Sequence, residues 1–182
     1  MKHRQPGERV NATPTAAPEA RIRAATEDDF PAILRLNRES EAVLSPLSAP
    51  RLAALHRQAW IHRVACRGGR VDAFLLALAA GADYDSPNYR WFATRYTGFV
   101  YIDRVVVDAA ARGARLATLL YEDLLRSAAG AGMASVTCEF DVDPPNEASR
   151  RFHGRFGFVE VGTQVLGARG KRVSMQELRL HR

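Results

Sequence analysis

The chain has 182 residues, 47% of them hydrophobic and 25% charged, with 26 Lys and Arg against 20 Asp and Glu for a net charge of +6. That length favours one domain with a full hydrophobic core, and no apolar run approaches the length needed to span a bilayer. The two cysteines, Cys66 and Cys138, each lie inside an apolar run, which argues for buried free thiols in a reducing, cytoplasmic compartment rather than a disulfide-stapled fold.

The positive balance suits an anionic partner: nucleic acid, an anionic membrane or a small phosphorylated molecule. Beyond the pairs Arg150-Arg151 and Lys171-Arg172 there is no Lys/Arg block. Aromatic residues do not interleave with basic ones as they do in single-strand binders.

Residues 1–20 are rich in Pro, Ala, Thr and charge and almost free of large apolar side chains, so they are expected to form a disordered tail. They contain no hydrophobic stretch of the kind a secretory signal needs. A single domain is expected over residues 21–182. A short strand starts at Arg21, with Ile22 and Ala24 alternating with charge. Thr26 and Asp29 form a capping-box-like start for a helix carrying Phe30, Ile33, Leu34 and Leu36. A second helix begins at Ser48, with Pro50 in its first turn. Residues 62–67 and 71–80 read as strands joined by a hairpin turn at Gly68-Gly69. The polar and aromatic stretch 81–98 is long for a simple hairpin connection and reads as a functional loop. Residues 99–108 are the clearest strand and residues 112–129 the clearest helix, ending at Gly130 and Gly132. A strand over 134–142 is stopped by Pro144-Pro145. A short helix over 146–155 follows, and strands over 158–165 and 172–180 close the chain around a turn at Gly167 and Gly170. The alternation gives an α/β class, with a mixed sheet flanked by helices.

The segment from Val105 to Ala117 carries most of the chemistry. A β-branched strand runs through a small-residue turn straight into a helix. The first N–H groups of such a helix lack partners, and the helix dipole favours a negative ligand there. Gly113, Ala114 and Ala117 let a phosphate approach the backbone, while Arg112 and Arg115 add positive charge. The turn has neither the Gly-Lys-Ser/Thr of a P-loop nor the G-x-G-x-x-G of a dinucleotide fold. Taken alone, it reads first as an ordinary strand–turn–helix packed for stability, because such turns are common.

This segment resembles the acyl-CoA-binding motif of GNAT acetyltransferases, V-x-P-x-x-R-G-x-G-x-G/A. Val107, Arg112, Gly113 and Ala117 match, Ala109 stands for the Pro, and Arg115 stands for the middle Gly. The stretch Asn146 to Phe158 is similar to the downstream GNAT motif N-x-x-A-x-x-L-Y-x-K-x-G-F. Asn146, Phe152, Arg155, Gly157 and Phe158 match in identity or type, Ser149 takes the Ala place, and His153 takes that of the Tyr. The run Tyr101 to Val107 and the pair Phe152-His153 look like a branch of acetyltransferases with unassigned substrate.

The resemblance implies a mostly antiparallel sheet with one splayed parallel pair, residues 99–108 and 134–142, and acetyl-CoA as co-substrate without a metal. It implies cofactor contacts from Val105, Val106, Val107, Arg112, Gly113, Ala114, Arg115, Leu116, Ala117, Thr118, Asn146, Ser149 and Phe152. The reaction implied is N-acetylation of a primary amine of a small molecule or peptide, by direct attack in a ternary complex. His153 becomes the candidate proton donor to the leaving thiolate, with a helix-surface packing role as the alternative. If it donates, activity follows its protonated form and the pH profile is bell-shaped.

For the base, Asp103 and Glu139 are the candidates. Tyr101 and Asp103 share strand parity with Val105 and Val107, and Glu139 stands in an otherwise apolar run. Either carboxylate alone is equally a salt-bridge partner for an arginine. Tyr84, Asn88 and Trp91 are candidate walls of the amine pocket. A non-catalytic acyl-CoA-binding module and a basic nucleic-acid-binding protein are the rival readings, and monomer and homodimer are both open.

Overall fold

A computed structural model of the chain describes residues 19–42, 44–167 and 170–180. The expected tail lies outside the described residues except for Glu19 and Ala20, and Ala20 packs against the core. The strands are β1 (Arg21–Ala24), β2 (Ile61–Arg67), β3 (Arg70–Ala79), β4 (Phe99–Val107), β5 (Ser135–Asp143), β6 (Val159–Leu166) and β7 (Lys171–Arg179). The helices are α1 (Phe30–Arg38), α2 (Ala49–Gln58), α3 (Pro87–Ala93), α4 (Leu116–Gly130) and α5 (Glu147–Phe156). The sheet order is β1-β2-β3-β4-β5-β7-β6. Every neighbouring pair is antiparallel except β4 and β5, which run parallel.

Each face of the sheet carries its own core. On one face, Leu116, Leu120, Tyr121, Leu124 and Ala128 of α4 pack on Leu75, Val100, Ile102, Val136 and Cys138, with Phe152 and Phe156 of α5 against the same cluster. On the other face, Ile33 and Leu36 of α1 and Leu52 of α2 meet Val64, Phe74 and Val106. Tyr89 and Phe92 of α3 meet Phe99, Tyr101 and Met175 there. Burial on both faces explains why β3 reads as a nearly unbroken apolar run. Both cysteines are free, Cys138 buried and Cys66 half-buried.

Two elements differ from expectation. The stretch after β3 holds a two-turn helix, α3, capped by Ser86 with Pro87 at its start; its seven residues are too few to show a period against the surrounding turn residues. The helix expected from residue 112 begins at Leu116, because Ala109–Ala111 form a separate 3-10 turn and Arg112 is extended.

Near α2, His56 Nδ1 and His62 Nδ1 lie 2.9 Å apart, and His62 Nε2 is buried without a partner among the described residues. Burial, helped by His56, lowers the His62 pKa from 6.5 to about 4. Between those values the unfolded chain binds a proton that the folded chain refuses. Stability should therefore fall as pH drops from 6.5 to 4, by about 3 kcal/mol from this group. His62→Phe is expected to flatten that slope in urea titrations run from pH 7 to pH 4; an unchanged slope would place the acid-sensitive group elsewhere.

Candidate active site

The turn after β4 is built from Asp108, whose carboxylate caps the 3-10 turn at Ala110 N–H (2.9 Å) and is held by Arg35 and Arg70. The chain then extends at Arg112, turns at Gly113 (φ 84°) and enters the left-handed region at Arg115 (φ 58°). The left-handed region costs a non-glycine residue roughly 1–2 kcal/mol, which explains why the resembled motif places glycine there. Leu119 N–H is the first to bond back, to Arg115 C=O at 3.0 Å. The N–H groups of Gly113, Arg115, Leu116, Ala117 and Thr118 find no acceptor among the described residues. They form a donor-lined turn at a helix N-terminus with two arginines beside it, suited to an anion.

Next to this turn the sheet opens. β4 and β5 pair only through Phe99↔Ser135, Val100↔Val136 and Tyr101↔Thr137. Beyond Tyr101 they part, and a cavity of about 720 Å³ fills the gap, lined from both faces of the sheet.

Strand parity across this gap differs from the simple alternation expected. Leu76 pairs with Arg104 and Ala77 with Ile102, so Asp103 is an extra residue, a β-bulge. The bulge shifts the pattern by one. Tyr101 packs with the α3 cluster, while Val105 and Val107 pack on the α4 cluster. The expectation that Tyr101, Asp103, Val105 and Val107 share a face is therefore corrected: Tyr101 and Asp103 look one way, Val105 and Val107 the other.

On the α3 face, half-buried Glu139 accepts from the Tyr101 hydroxyl (2.9 and 3.1 Å) and from Asn88 Nδ2 (2.7 Å). Among the described residues it has no cationic partner. Burial pushes its carboxyl up to about 7, against the pull of those two hydrogen bonds. Asp103 is differently placed. Arg104 Nε donates to it at 2.6 Å and the Tyr84 hydroxyl donates to its other oxygen. Buried Arg104 is itself tied to Asn37 Oδ1 at 2.7 Å.

On the α4 face, His153 is buried among Tyr121, Phe140, Phe152 and Phe158. Its Nδ1 lies 2.8 Å from the Ser149 carbonyl oxygen, so Nδ1 carries the hydrogen and donates it. Nε2 then accepts from the Tyr121 hydroxyl at 2.8 Å. Burial lowers the His153 pKa, so the neutral ring is favoured and neither nitrogen holds a spare proton. A His153 limb in the pH profile would then lie below the ordinary imidazole range, and the Tyr121 hydroxyl stands beside the ring as a second exchangeable proton.

Of the expected site residues, Val105, Val106, Val107, Arg112, Asn146, Ser149, His153, Asp103, Glu139, Tyr84 and Asn88 all line the one cavity. Gly113, Ala114, Arg115, Leu116, Ala117 and Thr118 form the adjoining turn, and Phe152 stands edge-on to Tyr121, 4.9 Å between ring centres. Trp91 does not line the cavity. Its ring covers Gly162 of β6, where an added Cβ would come within 2.6 Å of it, and Arg95 lies over it. Two residues of the site were not anticipated, Tyr121 and the role of Tyr101 as a partner of Glu139. Tyr121 lies in a helix stripe whose aromatic ring reads as core, and it is core apart from its hydroxyl.

A donor-lined helix N-terminus beside a splayed parallel strand pair defines an acyl-CoA N-acyltransferase type of fold. The sequence profile described as the acetyltransferase (GNAT) family matches residues 24–158. The chain belongs to the GNAT acetyltransferase family. No curated protein matches it by sequence. Among solved structures it is similar to an N-acetyltransferase from Staphylococcus aureus Mu50 (23% identity, 88% of this chain and 98% of that one, TM-score 0.68). It is also similar to Ard1 from Thermoplasma volcanium (18%, 90% and 99%, TM-score 0.74). A third is YncA from Salmonella typhimurium, a putative acetyltransferase solved with its cofactor acetyl-CoA (19%, 90% and 95%, TM-score 0.69). At these identities the likeness is one of fold. Among the described residues, no helix is long and apolar enough to cross a membrane.

Proposed function

We propose that the chain transfers an acetyl group from acetyl-CoA to a primary amine of a small molecule or peptide, by direct attack while both are bound. The observation that carries this reading is the gap between β4 and β5, which joins a turn suited to an anion on one face of the sheet to a carboxyl with no cationic partner among the described residues on the other. Acetyl-CoA supplies the acetyl thioester. Its pyrophosphate suits the free N–H groups of Gly113 and of Arg115 to Thr118, with Arg112 and Arg115 beside them and Ala114 offering no bulk. Its pantetheine arm suits the free edge of β4 at Val105, Val106 and Val107, flanked by Asn146, Ser149 and Phe152.

The acceptor amine then lies on the α3 face, against Tyr84 and Asn88, with Trp91 stiffening the wall through β6. An alkyl amine is mostly protonated at neutral pH, and Glu139 accepts that proton. Asp103, already engaged by Arg104 and Tyr84, positions Tyr84. On the other face, the Tyr121 hydroxyl turns from His153 towards the departing thiolate, and His153 holds that hydroxyl in place between turnovers. A hydrogen bond to a charged group is worth about 1.5–3 kcal/mol, more than the neutral one it replaces. Every group in this reading lies within one chain, whether the protein is a monomer or a homodimer.

The test is a panel of amines and peptides with acetyl-CoA, reading released thiol and the mass of the acetylated product. Product with at least one amine is expected. Tight acetyl-CoA binding without turnover across the panel would make the chain a binding module. Tight, salt-dependent binding to nucleic acid at physiological ionic strength, without acetyl-CoA binding, would favour the other rival.

A further inference from the structure

The hydrogen bonds to Glu139 do not end at the cavity wall. Asn88 Nδ2 donates to Glu139 Oε1 at 2.7 Å, and Gln164 Nε2 of β6 donates to Asn88 Oδ1 at 2.9 Å. Asn88 is buried at 8% exposure, so both ends of its amide must find partners inside the protein. An amide is nearly symmetric in shape but not in chemistry: one end only donates and the other only accepts. Rotated by half a turn, Asn88 would fit the same space and turn an oxygen towards Glu139.

We infer that Gln164 is a positioning residue, which fixes the Asn88 amide so that it presents only N–H to Glu139. With Gln164 donating to Oδ1, the nitrogen end faces Glu139, and Asn88 can make the half-turn only if the Gln164 amide turns with it. Every group then touching the Glu139 carboxyl, Asn88 and the Tyr101 hydroxyl, is a donor. A donor favours the carboxylate, whereas an oxygen in its place would favour the protonated acid. Gln164 thus reaches the base from outside the cavity, through one intermediate side chain.

The other ionisable groups around Glu139 set the background. Asp103 of β4 is paired with Arg104 and bonded to Tyr84, and Asp141 of β5 is paired with Lys171 of β7. Both carboxylates push the Glu139 pKa up. Tyr121 of α4 and Cys138 of β5 stand on the other side of the gap with pKa values raised by burial, so both stay neutral. None of these contacts Gln164 among the described hydrogen bonds.

The inference rests on Glu139 being the base only where activity is the readout. The direct test is to titrate the Glu139 carboxyl by carbon-13 NMR in ligand-free protein, with Glu139→Gln assigning the signal. Gln164→Met keeps the length of the side chain and removes its N–H. It is expected to raise the Glu139 midpoint by about one pH unit or less, the worth of the neutral hydrogen bond by which a turned Asn88 amide could then hold the protonated acid. Asn88→Ala removes the bond to the carboxylate itself and should raise the midpoint by about one to two units, and Gln164→Met in the Asn88→Ala background should add nothing. An unmoved midpoint in Gln164→Met, or an equal shift in both backgrounds, overturns the inference. The acid limb of kcat against pH should move with the midpoint, with roughly a fivefold loss of rate at pH 7 for a one-unit rise. If the NMR midpoint moves and the limb does not, Gln164 positions Glu139 as inferred, and Glu139 is not the base.

Discussion

Glu139→Gln is expected to lower kcat by roughly a hundred- to ten-thousandfold at neutral pH, the range for a lost general base. The carboxyl accepts a proton only when ionised, and burial holds its pKa at about 7. The wild-type rate should therefore rise with pH through about 7 and level off above it. In the variant that step should vanish, leaving only the ionisation of the amine. Stability should move the other way. A carboxyl whose pKa is raised in the folded state favours folding below its unfolded value of 4.5 and loses that contribution as pH rises through about 7. A neutral glutamine avoids the cost of a buried charge, so a loss of rate without a loss of melting temperature is expected. Profiles of kcat against pH with one amine decide the matter. A variant that keeps both its rate and the step near 7 would move the base elsewhere. Asp103→Asn is the contrast, since that carboxylate is already bound by Arg104 and Tyr84.

Gly113→Val is expected to weaken acetyl-CoA binding by about a hundredfold or more. At φ 84° a β-branched residue strains the backbone of the turn. The added Cβ meets no protein atom within 4 Å, so the turn resists it through its backbone conformation and not through a clash. The larger effect on affinity comes from the ligand, because the side chain enters the space beside the free N–H groups of Arg115 to Thr118. Losing two charge-assisted hydrogen bonds, at roughly 1.5–3 kcal/mol each, gives about that loss of affinity or more. Calorimetry with acetyl-CoA measures it, and thermal unfolding should show a separate drop of a few degrees or more from the backbone strain. Unchanged affinity would take the pyrophosphate away from this turn.

Both of these residues were legible in the sequence, for different reasons. Gly113 stands in a contiguous turn whose small residues and flanking arginines announce an anion site, and the turn, its free N–H groups and the splayed strands are all in the structure. Glu139 was legible as a charge in an apolar strand. What was hidden depends on contacts between distant segments. The bulge at Asp103 exists because β3 and β4 pair with one residue to spare, and nothing local to β4 signals it. Tyr121 and His153 lie 32 positions apart and meet only when α4 and α5 pack on the same face. Gln164 reaches Asn88 across 76 positions, from β6, the half-exposed edge strand of the sheet. Helix α3 was masked by the turn-forming residues before it, Asp85 and Ser86, although Ser86 and Pro87 are also good helix-starting chemistry.

The division of the site between two faces of one sheet also bears on how the acetyl group is safeguarded. The buried thiol of Cys138 belongs to the α4 face, and burial pushes its pKa well up, so it is a poor nucleophile. Glu139, the group that would ready an attacking atom, belongs to the opposite face. On the proposed reading, neither half of the site completes a step alone, and no acetylated protein intermediate stands between the two substrates. On that same reading, a molecule of the protein waiting without an amine is expected to keep its thioester whole, so that consumption of acetyl-CoA follows the supply of acceptor.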